Sequence, residues 1–127
     1  MQNFPTFSTA RLVLSLPTIS DLEDIIFHAN STSEIAENTI TFPYPYEEKH
    51  AHFWLKMAED GFAKKDAYIF AIREKENLKL IGAIGLHVDF ANRKAEIGYW
   101  LGKSFWNKGY VSEALQKIVR SEEHTSE

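Results

Sequence analysis

At Ala67 the spacing of apolar residues changes, and this change limits the possible folds more than any other feature of the chain. Upstream, apolar side chains recur at helical intervals. Downstream they fall into three short strand-like runs, residues 67–73, 80–88 and 95–101. Polar turns at residues 74–77 and 89–94 separate them. Strands joined by turns this short predict an antiparallel meander. Gly82, Gly85 and Gly98 lie inside these strands, which predicts bulges or close backbone approach.

Residues 11–16 read as an earlier strand that Pro17 ends. Ser20 and Glu23 fit a capping box for a helix over 21–29, with Leu22, Ile25 and Ile26 on one side. The stretch 38–46 is irregular, because Pro43 and Pro45 forbid helix. Its rings Phe42, Tyr44 and Tyr46 admit two readings: packing on the core, or forming the wall of a substrate pocket. Ala51, Trp54, Leu55, Ala58 and Phe62 give helical spacing over 47–63. His50 and His52 point to different faces of that helix and make a poor metal pair. Together with His28 they read as surface or boundary residues. A last helix is predicted over 109–119 from Val111, Ala114, Leu115, Ile118 and Val119. The order of strand, two helices, three strands and helix predicts an α+β (mixed α/β) fold. Its helices flank a central, largely antiparallel sheet.

The 127 residues fit one domain, and 44% hydrophobic content is enough for one core. The net charge of −4 and the lack of a basic run argue against nucleic acid as a partner. Having no cysteine, the chain forms no disulfide and offers no thiolate nucleophile. No signal peptide or run of ~18 apolar residues is present. The expectation is therefore a cytoplasmic protein with no membrane partner, and the sequon at Asn30 is read as chance.

The segment from Glu96 to Leu115 carries the chemistry. A strand ends, a polar-aromatic loop follows, and Gly109 opens a helix beside Lys108. A helix start leaves main-chain N–H groups unpaired at the positive end of the macrodipole, which suits an anion.

Three blocks, Thr9-Ala-Arg-Leu-Val-Leu14, Ile81-Gly-Ala-Ile-Gly-Leu86 and the segment from Ala95 to Leu115, resemble the GNAT superfamily. The likeness is greatest to its RimJ/RimL branch, whose named members acetylate ribosomal-protein N-termini. The resemblance covers residues 9–119. It implies a GNAT-like acyl-CoA N-acyltransferase fold and transfer of acetyl from acetyl-CoA to a primary amine, either a protein N-terminus or a small molecule. It implies no metal or redox cofactor. In the family a Q/R-x-x-G-x-G/A loop holds the acetyl-CoA pyrophosphate. Trp106, Gly109 and Val111 occupy its defined positions here, and only Gly109 matches. The main-chain amides of Asn107, Lys108, Gly109, Tyr110, Val111 and Ser112 would grip the diphosphate. Tyr99 and Leu101 would pair with pantetheine, one N–H polarising the thioester carbonyl.

By the same resemblance Glu96 is the candidate general base, with burial in an apolar strand expected to raise its pKa. His87 is a second candidate, and Glu113 is read as structural. The alternative reading is a non-catalytic acyl-CoA-binding or regulatory module, motivated by Trp106 and Val111. Residues 120–127 break the helical stripe and resemble the in-frame translation of a sequencing-adapter oligonucleotide. Residues 1–119 are thus expected to be a partial GNAT domain lacking its C-terminal part, and 120–127 a non-native tail. The 127-residue chain alone is expected to be poorly stable and inactive, and its intact parent active. Oligomeric state is not legible.

Overall fold

The three predicted runs form β3 (Ala67–Glu74), β4 (Leu80–Asp89) and β5 (Lys94–Leu101). The computed structural model describes residues 4–37 and 42–125, with side chains through Arg120. Two short strands, β1 (Phe7–Ser8) and β2 (Leu12–Ser15), complete a sheet in the order β1-β2-β3-β4-β5. Every neighbouring pair is antiparallel. The α+β architecture and the meander follow the expectation. β1 was not anticipated, since two residues show no period.

Helices cover both faces. On one lie α1 (Leu22–Ala29) and α3 (Glu48–Lys64). Ile25, Ala29, Ala51 and Tyr46 pack there with Ala71 and Leu80 of the sheet. On the other lies α4 (Tyr110–Thr125). Its Ala114 and Ile118 pack with Leu12, Leu14, Phe70, Ile72, Ile84 and Leu101. Alternate strand residues feed the two cores, as the period of two requires. A single turn, α2 (Glu34–Glu37), follows α1 and is too short for a sequence pattern. The predicted irregular stretch begins at residues 38–41, which lie outside the described residues.

Two local expectations are corrected. The capping box belongs to Thr18 and Asp21, not to Ser20 and Glu23: Thr18 N–H donates to Asp21 Oδ2 at 2.8 Å. A 3-10 turn over Ile19–Asp21 precedes α1, so the capped start comes two residues earlier. Asp21 is the better choice because it also meets Arg73, whose Nη1 and Nη2 donate to its two oxygens at 2.6 and 2.8 Å. Their side chains are only 7% and 11% exposed, and this ion pair fastens the start of α1 to β3. The second correction concerns α4, whose backbone continues to Thr125. Loss of the apolar stripe after Val119 does not end the helical backbone.

The glycines divide. Opposite β3 the register slips at Ile81, since Ile72 faces Gly82 while Arg73 faces Leu80. A Cβ on Gly82 would stand 2.4 Å from the Trp100 carbonyl oxygen. Bulge and close approach are therefore both realised at Gly82. At Gly85 a Cβ would reach only ordinary contacts at 3.4 Å, and at Gly98 it would meet nothing within 4 Å. Those two were predicted to mark a bulge or close backbone approach, and neither position shows one.

Candidate active site

β5 is the outer strand, so among the described residues no strand lies beyond it. Which of its groups face that edge follows from alternation. Gly102 N–H donates to the Ile81 carbonyl at 2.9 Å, inward toward β4. Successive N–H groups of an extended chain point to opposite sides, so Trp100 faces β4 while Tyr99 and Leu101 face outward. The Leu101 carbonyl agrees, because Trp106 Nε1 donates to it from outside at 2.7 Å.

After β5 the chain makes a 3-10 turn, Lys103–Phe105. It then passes through Asn107 at φ 64° and Gly109 at φ 79°. Both are left-handed, a conformation that asparagine tolerates and glycine adopts without strain. Glu113 N–H donates to the Gly109 carbonyl at 3.0 Å as α4 begins. The N–H groups of Tyr110, Val111 and Ser112 lie ahead of that bond, at the helix's positive end. This turn and the β5 edge line one cleft of about 580 Å³, whose walls include Tyr99, Leu101, Asn107, Gly109, Tyr110, Val111 and Ser112. The predicted cofactor-binding residues are thereby gathered, except Lys108. Its Nζ lies 5.8 Å from the Phe105 ring, outside the lining.

Glu96 stands opposite His87 in the β4–β5 ladder, so the two candidate bases share a sheet face. Both are exposed, which removes the burial that was expected to act on Glu96. The reason is its edge position: α3 packs on β3 and leaves the outer end of β5 uncovered. On that same face a second cavity of about 650 Å³ lies under the aromatic loop, and Tyr99 and Trp100 border both cavities.

Residues 11–123 match the family model "Acetyltransferase (GNAT) domain". This chain belongs to the GNAT family. Among curated relatives, the uncharacterized N-acetyltransferase p20 of Bacillus licheniformis is 33% identical over 90% of this chain and 64% of its own length. The GNAT domain described here thus spans a little under two thirds of that relative. Among solved structures, RimL, a ribosomal L7/L12 alpha-N-protein acetyltransferase, superposes with a TM-score of 0.81 at 16% identity, over 96% of this chain and 66% of RimL. The Microcin C7 self-immunity acetyltransferase MccE, in complex with acetyl-CoA and AMP, gives 0.76 at 23% identity, over 89% and 63%. At these identities the structures establish the fold.

Within the GNAT domain, Trp106 departs from the family's polar residue, and the geometry explains what it does instead. Its indole closes the outward Leu101 carbonyl, and its ring lies 4.0 Å from Lys103 Nζ. Arg11 is the neighbour that sequence reasoning missed. Its guanidinium lies 4.3 Å over the Tyr110 ring, and its Nε donates to Glu113 at 2.7 Å. A Cβ on Gly109 would sit 3.6 Å from Arg11 Nη2. No local pattern could reveal this, because Arg11 and Glu113 are 102 positions apart. Glu113 is structural, as expected. Partial burial pushes its carboxyl up, but bonds from Thr9 and Arg11 outweigh this and hold it below the usual range.

His28 was read as a surface or boundary residue and is instead buried. Gly102 leaves room for its ring, since a Cβ there would be 2.4 Å from Nδ1. Burial lowers the His28 pKa, against the opposing charges of Asp24 and Glu74. Ser31 Oγ donates to the His28 carbonyl and accepts the Lys103 N–H at 2.9 Å. The exit of β5 is thereby tied to α1. Among the described residues no three His, Asp or Glu side chains gather as metal ligands, and no helix is long and apolar enough to cross a membrane.

Proposed function

We propose that this GNAT domain binds acetyl-CoA and that its site transfers the acetyl group to a primary amine, a protein N-terminus or a small molecule. One observation carries the reading: the outward N–H groups of Tyr99 and Leu101 and the open start of α4 meet in a single cleft. The N–H groups from Asn107 to Ser112 hold the diphosphate at the positive end of α4. A Tyr99 or Leu101 N–H polarises the thioester carbonyl as negative charge develops on its oxygen. The MccE complex with acetyl-CoA and the ribosomal substrate named for RimL support the ligand and the acceptor class.

The neutral amine nitrogen attacks the carbonyl carbon. The C–N bond forms, the C–S bond breaks, and the CoA thiolate leaves with the electron pair and takes a proton from solvent. The proton lost from nitrogen goes to Glu96. Glu96 is three residues from Tyr99, ~10 Å along the strand, a span that one water does not bridge, so the proton reaches it along a short chain of hydrogen-bonded waters. Replacing Glu96 with Gln should lower turnover about a hundredfold or more while leaving acetyl-CoA affinity unchanged. Unchanged turnover would remove Glu96 from the mechanism.

The alternative is a module that binds acyl-CoA without transfer. It is favoured by the exposure of Glu96 and by the indole on the Leu101 carbonyl. Binding of acetyl-CoA with no release of CoA thiol in the presence of any amine would establish it.

A further inference from the structure

The cavity under the aromatic loop exists because of an unusual floor. Gly85 and Gly98 are directly opposed in the β4–β5 ladder, and both line the cavity. Paired glycines weaken a strand twice over, through backbone entropy and missing side-chain contacts. Neither glycine is demanded by backbone geometry: both lack a left-handed φ, and neither is forced by a close backbone neighbour. What they provide is empty space. Around it stand Phe42, Tyr46, Trp54 and Trp100. Phe42 lies 5.6 Å from Trp100 and 5.2 Å from Tyr46, and the two indoles lie 6.2 Å apart. The Asn30 side chain fixes the loop by bonding both the N–H and the carbonyl of Tyr46, at 2.6 and 2.8 Å.

We infer that this cavity is the acceptor pocket and that it selects a primary amine carrying an apolar, ring-sized group. At about 650 Å³ it has the volume of a small-molecule site, far more than methylamine or an N-terminal glycine would fill. Aromatic faces attract an ammonium group. His87 lines the cavity, and Glu96, its partner in the β4–β5 ladder, stands on the same sheet face outside the lining. Tyr99 and Trp100 border both this cavity and the cleft at α4, so an amine held here lies beside the edge where the thioester is proposed to sit.

This inference depends on the acetyl-transfer reading only for the fate of the amine, and amine binding is measurable without acetyl-CoA. Trp54 and Trp100 report it by fluorescence. The chain is titrated with 2-phenylethylamine, ethylamine, 2-phenylethanol, and tripeptide amides beginning with Phe or Gly. Saturable binding of 2-phenylethylamine is expected, about tenfold or more tighter than ethylamine and than the neutral alcohol. Preference for the Phe-led peptide over the free amine would identify a protein N-terminus as the source, and the reverse a small molecule. Gly98→Val fills the floor where a Cβ meets nothing. It should keep the far-UV spectrum of the parent chain and lose at least about tenfold in amine affinity. Met57→Trp, on the α3 wall, should do the same. The pocket assignment is overturned if the phenyl and ethyl amines bind alike, if the alcohol binds as well as the amine, or if both folded variants bind as the original does. Acetyl-CoA binding that persists in such a case would leave the transfer reading standing.

Discussion

Gly109 and Asn107 share left-handed backbone, yet only one should be replaceable. Asn107→Gly keeps the conformation and should leave acetyl-CoA affinity within about twofold. Gly109→Val forces a β-branched residue into it at ~1–3 kcal/mol of strain, and the turn should open. His28 gives a prediction of pH dependence. Its folded pKa lies below its ordinary ~6.5, so the unfolded chain binds more protons. That contribution to stability is complete above about pH 6.5 and declines as pH falls below it. Urea unfolding at pH 7.5 and 5.5 should show the decline, and His28→Phe should flatten it. Asp21 belongs to a lower window. Burial raises its pKa, but the bonds from Arg73 and Thr18 outweigh this and leave it depressed. Its contribution is present above the ordinary carboxylate range and is lost as pH falls through the lower folded value. Asp21→Ala at neutral pH should cost roughly 1–3 kcal/mol, because Arg73 loses its counter-charge but keeps its bonds to Ser15 Oγ and the Leu16 carbonyl.

At the scale of elements, β4 and β5 make opposite predictions for two glycines that look alike in sequence. Gly82→Ala drives a methyl into the Trp100 carbonyl and should cost ~2–4 kcal/mol in chemical denaturation. Gly98→Ala meets open space and should be neutral or slightly stabilising. In sequence both read alike, as a bulge or a close backbone approach, because a strand glycine signals a missing Cβ without saying what lies where the Cβ would be. The elements themselves were legible because β3, β4, β5 and α3 are long enough to display a period. β1 and α2 were not, having two and four residues. The cleft at the start of α4, proposed to hold acetyl-CoA, draws most of its lining from one stretch of sequence, residues 99–112, which is why a single segment pointed to it. Arg11, the buried setting of His28 and the paired glycines of the cavity floor depend on contacts between distant segments, which one sequence does not display. Glu96 was placed on the right strand, but its exposure depended on where α3 ends its coverage.

For the molecule as a whole, the outer edge of β5 is the main structural liability. Ile97 and Tyr99 are 44% and 61% exposed there, next to main-chain groups that face no strand among the described residues. Such an edge invites pairing with another chain. Sedimentation of the 127-residue chain should therefore show association that grows with concentration, and Ile97→Lys should suppress it. The same open edge is the proposed seat of the thioester, so a ligand in the cleft should compete with self-association. The most direct test of that account is calorimetric titration of the chain with acetyl-CoA. It predicts saturable one-to-one binding that Gly109→Val abolishes while the chain stays folded. Absence of binding, or equal binding by the folded Gly109→Val variant, would contradict it.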